Sequence, residues 1–450
     1  MSTTALADTI ARYTEAHEQM QRVLAGTDRI KSLRARALEA FRRQGFPTPR
    51  HEDWKYTNLA AVERGAFQPA AAVPNVVADE LPLLPFATGE AIRLVFVNGR
   101  FAPYLSDLPE DERSHPGVTV ASMAYAVDQH EDTLQYLGTI ADIETSGLTA
   151  LNSAFLKDGA VVTLEADAVL DRPLYLVFLT VAQPAAVLVQ PRIFVAAGRH
   201  SRLQLVEHHV SLGEPTNFTN SVSEFLVGEG AQVTHTIRQA SATTSSLVQS
   251  VNVRLDRDAR FVSHNVQTGA SLARTDINVK LAAPGASTSM QGVFFPSGTQ
   301  HLDTHTRADH LAPNTHSDED YRGILDGAGR GVFNGKVVVH QDAQGIEAHQ
   351  SSRNLLLSDQ AEIDTKPELE IYADDVVCSH GATVGQLDEQ ALFYLRSRGL
   401  DAAHARQVLT YAFARDLLEK IDLAPVREDA ATTVLGRLGG TTTMDLTELS

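Results

Sequence analysis

Residues 333–400 read FNGKVVVHQDAQGIEAHQSSRNLLLSDQAEIDTKPELEIYADDVVCSHGATVGQLDEQALFYLRSRGL. Lys336 to His340 is a tight β-branched run, and Gln341 to Gly345 carries turn residues. Leu355 to Leu357 is apolar before Ser358-Asp359-Gln360, and Leu369 to Tyr372 mixes apolar with acidic. Val376 and Val377 lead into Cys378, Ser379 and His380. This is a ladder of short strands, with β-branched runs bounded by turn chemistry. Side chains two apart on a strand share a face, so Asp374, Val376, Cys378 and His380 line one side. Beyond Gly385 the pattern turns helical.

Upstream, between about 159 and 385, units of a small or acidic turn residue, usually an alanine, and a β-rich run recur. Examples are Gly159-Ala160-Val161-Val162, Gly230-Ala231-Gln232-Val233, Asp258-Ala259-Arg260-Phe261, Gly285-Ala286-Ser287-Thr288 and Gln360-Ala361-Glu362-Ile363. No sustained helical periodicity interrupts them. A sandwich, a barrel or a solenoid fits such a series, and the repeated turn-Ala-x-apolar unit favours a solenoid of stacked coils.

Both flanks read as helix. Residues from about 5 to 44 hold Leu6, Ile10, Tyr13, Ile30, Leu33, Leu38 and Phe41 at near-helical spacing. Gly26-Thr27-Asp28 divides this stretch in two, with Asp28 as cap, and Gly45 and Pro47 end it. Arg29, Arg34, Arg36, Arg42 and Arg43 read as a solvated helix face rather than a basic patch. Residues 68–85 form a linker, Asn98-Gly99 marks a hairpin over 93–101, and about 120–158 is again a helical mixture. At the other end Asp388 caps a helix through Leu392, Leu395 and Arg396, closed by Gly399. A second helix runs from about Asp401 to Lys420 with Val408, Leu409, Ala412, Phe413 and Leu417 on one face. The tail from Arg427 reads as loosely ordered.

At 450 residues the chain exceeds one ordinary core and needs two or three units or an elongated repeat body. A net charge of -18 argues against nucleic acid and against an anionic membrane surface. One cysteine excludes an internal disulfide and a four-cysteine cluster or zinc site built by this chain alone. The N-terminus lacks a basic, apolar leader and no apolar run approaches a membrane span, so a cytoplasmic location is expected.

Three candidate sites carry chemistry. Gly327-Ala328-Gly329-Arg330-Gly331 lacks the lysine and hydroxyl ending of a phosphate loop and precedes a strand, so it reads as a turn. His301, His305, His310 and His316 with Asp303, Asp309, Asp318 and Asp320 could bind metal, or could furnish the acid–base pair of a β-helix enzyme acting on polysaccharide. Aromatic residues for sugar stacking are sparse, at 6% of the chain. Cys378 and His380 are a sharper pair: thiolate and imidazole suit iron, but two ligands cannot hold a cluster, so a second chain must complete the site. The lone tryptophan, Trp54, reads as a packing anchor between the helical segment and the body.

Two stretches resemble the SufB/SufD family, the scaffold of SUF iron–sulfur cluster assembly, and its SufD branch in particular. They are Tyr372–Gly385 (YADDVVCSHGATVG), extended by Phe393–Gly399 (FYLRSRG), and Pro47–Thr57 (PTPRHEDWKYT). The resemblance implies a mainly β protein: a right-handed parallel β-helix flanked by helical domains. The expected division is 1–155, a helical and mixed region; 156–386, the β-helix; and 387–450, a helical ATPase-docking domain. It implies a non-catalytic scaffold that pairs through its β-helix with a SufB-like paralogue, docks a SufC-type ABC ATPase through its C-terminal helices, and self-associates when isolated. The docking residues would be Leu392, Phe393, Leu395, Arg396, Arg398 and Gly399. His380, with Cys378 as the weaker candidate, would ligate iron or a transient cluster at the interface. A reduced flavin (FAD) on the assembled complex is also implied, without a dinucleotide fingerprint to place it.

Overall fold

The computed structural model describes residues 3–22, 26–70, 73–108, 116–129 and 134–439. Its early strands are β1 (Gln68–Pro69), β2 (Ile92–Val97), β3 (Arg100–Phe101), β4 (Val118–Ser122), β5 (Gly159–Leu164), β6 (Leu174–Val181), β7 (Val187–Val189) and β8 (Arg192–Ala197). Longer ones follow: β9 (Arg202–Leu212), β10 (Asn217–Val227), β11 (Gln232–Ala240), β12 (Ser245–Leu255), β13 (Arg260–Gln267), β14 (Leu272–Leu281) and β15 (Ser287–Phe294). The last are β16 (His301–His310), β17 (His316–Leu325), β18 (Arg330–Val339), β19 (Ile346–Leu356), β20 (Glu362–Ile371) and β21 (Val376–Gly385).

From β8 onward, even-numbered strands form one sheet (A) and odd-numbered strands the other (B). Each strand pairs in parallel with the one two places on. A parallel neighbour cannot be reached by a tight turn, so the chain crosses to the opposite sheet and returns once per coil. The result is a β-solenoid of about eight turns, with helices at both ends. Its strands are longer than the short runs read from sequence, because polar residues such as those of Gln350–Asn354 continue the ladder.

The repeating unit makes the corners. Gly230, Asp258 and Gly285 adopt φ of 66°, 54° and 77°, turning the chain through the left-handed region. The alanine after each, Ala231, Ala259 and Ala286, is fully buried at the inner corner. At the last coil Ala361 is only half-buried, because no further coil covers it. The interior opens on an apolar layer in which Phe96 stacks on Phe178, with ring centroids 5.1 Å apart. The hairpin at Asn98-Gly99 is present, with φ of 49° and 77°. β2, β3 and β4 join the first coil, so strands from the segment before 155 close that end.

Helices α1 (Thr3–Gln21), α2 (Asp28–Gln44), α3 (Ala60–Arg64), α4 (Met123–Gln129) and α5 (Gly147–Ala154) belong to the N-terminal part, which packs on the outside of sheet A over its early strands. Tyr13, Phe41, Phe46 and Phe155 share a core with Phe218 of β10. The cap of α2 is Thr27, whose hydroxyl accepts from the Ile30 N–H, not Asp28, which occupies the first turn. Arg34 departs from the solvated face expected for the arginines: it is buried and donates to the Leu156 carbonyl at 2.8 Å.

Past the solenoid come α6 (Glu389–Ser397), α7 (Ala402–Leu418) and α8 (Ala424–Arg437). Asp388 and Asp401 cap the first two. The α7 stripe is rotated from the expected one: Ala405, Thr410, Ala414, Leu417 and Leu418 are buried, Ala412 is exposed, and Val408, Leu409 and Phe413 are half-buried. Small residues face inward because the helix lies close on sheet B, in one apolar layer with Val266, Val293, Phe295 and Ile324. The stretch after Arg427, read as loosely ordered, continues as α8, where Arg437 donates to the carbonyls of Phe295 and Thr268. Residues 440–450 lie outside the described residues.

Candidate functional site: the open last coil

β20 and β21 each have a neighbour on one side only. Their residues are mostly half-buried or exposed, whereas the preceding coils are closed. Inward positions follow from register: Ala348 pairs with Cys378, Gln350 with His380, and Ser352 with Ala382. Cys378 packs half-buried against the solenoid core, and burial pushes its thiol up, partly offset by a hydrogen bond with the Ala348 backbone. His380 stands next on the same face, roughly 6.6 Å along the strand, and is exposed. The two sequence candidates are therefore together, at the mouth of the coil. Among the described residues no three His, Cys, Asp or Glu side chains converge to hold a metal ion.

Glu368 and Glu370 lie on the outer face of β20, where they pair with Lys366 at 2.8 Å and Lys336 at 2.6 Å. They solvate the edge. Val377 and Val384 are exposed along β21. On β20, the Glu362 N–H bonds to the carbonyl of Gly329, just before β18, and the Tyr372 N–H to that of Val339, its last residue, so odd-numbered residues turn theirs to the free edge. Pro367 occupies one of these positions and has no N–H to offer.

One residue that the sequence reading missed lies behind His380. Glu319 on β17 is in register with Gln350 on β19, which is in register with His380. Its Oε2 accepts from the Thr306 hydroxyl at 2.6 Å and the Gln350 amide at 2.9 Å, while Oε1 has no protein partner. Burial pushes this carboxyl up to about 7. The signal was available: alternation along HSDEDYRGIL puts Glu319 on the face of Ser317, Tyr321 and Leu325.

The histidines and aspartates of 301–320 do not form one site. His301 and His305 lie on the outside of sheet A, bound into a latch for the N-terminal segment. There the Thr57 hydroxyl donates to Asp303 at 2.5 Å and meets His301 Nε2 at 2.7 Å, while His305 and Arg274 pair with Asp303. Trp54 anchors the same segment, with the Arg274 guanidinium 3.8 Å from its ring centre. His310 points inside, bonded to Thr315 and Ser317, and burial lowers its imidazole to about 4. His316 is outside sheet B, near Glu347. Asp309 pairs with Arg307, and Asp320 with Arg353. Gly327 is a turn residue with φ of 64°, and a strand follows it.

A cleft of about 910 Å³ lies between the N-terminal segment and the outside of sheet A, lined by Arg274, Arg307 and Lys336 among others. Each of these three cations already pairs with a carboxylate, in Asp276, Asp309 and Glu370.

On α6, Leu392 is buried, Leu395 half-buried, and Phe393, Tyr394, Arg396, Arg398 and Gly399 are exposed. Phe393 is 73% and Tyr394 56% accessible, an unusual display on so short a helix. No helix among the described residues is long and apolar enough to cross a membrane.

The chain is similar to known proteins along nearly its whole length. The family described as "SUF system FeS cluster assembly, SufBD core domain" matches residues 178–413, and the "SufBD protein N-terminal region" matches 7–176. An iron–sulfur cluster assembly SufBD family protein of Synechocystis is 36% identical over 395 residues, 85% of either chain. The iron–sulfur cluster assembly protein SufD of Escherichia coli is 30% identical over 405 residues, 89% of this chain and 90% of that one. SufD of Bacillus subtilis is 24% identical over 90% of this chain and 93% of its own. With the solenoid, the open coil and both sequence signatures in place, the chain belongs to the SufBD family of the SUF iron–sulfur cluster assembly system.

Proposed function

We propose that this chain is a non-catalytic scaffold subunit that completes an iron–sulfur assembly site only when a SufB-like paralogue covers its last coil. The observation that carries this reading is the open coil itself, which offers Cys378 and His380 at its mouth beside an unpaired strand edge. An edge with free backbone donors and acceptors and exposed valines is extended by another strand in many protein pairings. The partner's residues would supply the remaining ligands, with iron and sulfide as cargo. His380 is the first ligand from this side because it is exposed. Cys378 is the weaker one, since its thiol must lose a proton in a half-buried position.

The exposed Phe393 and Tyr394, with Arg396, Arg398 and Gly399, form the docking face for a SufC-type ATPase; Leu392 of the same helix is buried. ATP-driven closure of the ATPase pair would pull on α6 and change the cover over the last coil. The subunit would work in the cytoplasm, and when expressed alone its open coil would pair with a second copy.

Anaerobic co-expression with the paralogue and the ATPase, comparing wild type with His380→Ala, tests this. The expected result is complex formation in both, with iron and sulfide lost in the variant. A wild-type chain that never joins the complex would overturn the scaffold reading. A variant that loads iron normally would overturn the assignment of His380.

A further inference from the structure

The chemistry behind the last coil extends deeper than its two candidate ligands. Glu319 is fully buried, one strand behind Gln350 and two behind His380. The groups around it are neutral. β15 contributes Met290, β19 Gln350, β16 Thr306, and β18 Gly335. Tyr321 follows on the same face, and the nearest charges on its own strand, Asp318 and Asp320, are acidic and on the outer side. Gly335 is shaped for this arrangement: a Cβ there would fall 2.2 Å from the Gln350 amide nitrogen and 2.9 Å from Glu319 Oε2. The carboxyl is thus seated among neutral partners in the interior, with Gln350 between it and the open end of the solenoid.

We propose that iron binding at the open coil is coupled to loss of a proton from Glu319, which then stands as a buried negative charge behind His380. The proposal rests on the end-coil reading above and adds to it a residue that touches no metal. Glu319 is a positioning residue for charge. The carboxylic acid gives its proton to solvent, the carboxylate remains, and no other bond changes. Two strand spacings place the coil mouth about 10 Å away, where a divalent ion at an effective dielectric of about 20–40 shifts a carboxyl by roughly one to two pH units. The coupling is reciprocal, so ionised Glu319 strengthens iron binding by about tenfold or more. Burial already holds the group near neutrality, so the switch lies in the working range.

The test uses the full complex with the SufB-like subunit, anaerobic ferrous iron as the probe, and Glu319→Gln, which keeps shape and hydrogen bonding but cannot ionise. Iron affinity is measured at pH 6 and pH 8, and proton release by calorimetry in two buffers of different ionisation enthalpy at pH 7. The variant should be the weaker by about twofold or more at pH 6 and by about tenfold or more at pH 8, the gap widening at least about fivefold between the two. Wild type should release about half a proton more per iron at pH 7. Identical affinities and proton counts would overturn the coupling. So would a loss equal at both pH values, which marks a structural defect alone. His380→Ala separates this from the parent reading. If it abolishes iron binding while Glu319→Gln changes nothing, the end coil stands and the coupling falls. If it leaves iron binding intact, the end-coil reading fails and takes the coupling with it.

Discussion

Two fully buried glutamates show how neighbours decide the fate of one side-chain type. Burial pushes both up, but Glu207 accepts from His209 at 2.9 Å and His235 at 3.1 Å, and these bonds and charges hold it down to about 2. Glu319 has only a hydroxyl and an amide, and stays near 7. The consequences for stability run in opposite directions. Glu207 contributes above the ordinary carboxylate range, and that contribution is lost as pH falls toward 2. Glu319 keeps its proton in the folded chain while the unfolded chain gives it up, so stability declines as pH rises from about 4.3 to about 7. Glu319→Gln should therefore match wild type near pH 3, exceed it by about 1 kcal/mol at pH 5 and by roughly 3–4 kcal/mol at pH 8 in chemical denaturation. A variant no more stable at pH 8 than at pH 5, relative to wild type, would show that the carboxyl ionises without cost.

At the scale of elements, the corner unit decides most of the architecture. A left-handed residue followed by an inward alanine leaves no room for a larger side chain where two sheets meet. Ala259→Leu should cost roughly 1–3 kcal/mol through overpacking, whereas Ala361→Leu, in the uncovered coil, should be nearly neutral; paired melting curves decide it. These units were legible in the sequence because glycine, aspartate and alanine mark corners regardless of what the strands carry. Strand lengths were not, since stretches such as Gln350–Asn354 look like loop until their inward side chains find partners inside the solenoid. The C-terminal stripe was misread for a related reason. A helix lying on a sheet selects alanine and threonine for close approach, and a search for large apolar residues finds the wrong face. Cys378 and His380 were legible as a pair by period-two spacing; Glu319 needed the register across three strands, which no local pattern contains.

For the whole molecule, stacking makes stability a matter of nearest neighbours. Interior coils are held from both sides, and the first is continued by β2, β3 and β4 and filled by phenylalanines; the last is held from one side only. Amide hydrogen exchange of the isolated chain should accordingly be fastest in β20 and β21 and slow progressively toward β10, and the partner should protect the last two strands most. Uniform protection along the stack would contradict this picture. The two strands at the open end are also unequal. Pro367 removes a donor from the free edge of β20, while β21 carries no proline. A neighbouring solenoid docked on this end would thus meet an unbroken hydrogen-bond ladder along β21 and an interrupted one along β20. Such a joint has a spine on the β21 side and a seam on the β20 side. Any pull that parts the two bodies would open them as a book opens, and cargo held at the coil mouth would leave through the seam beneath Pro367.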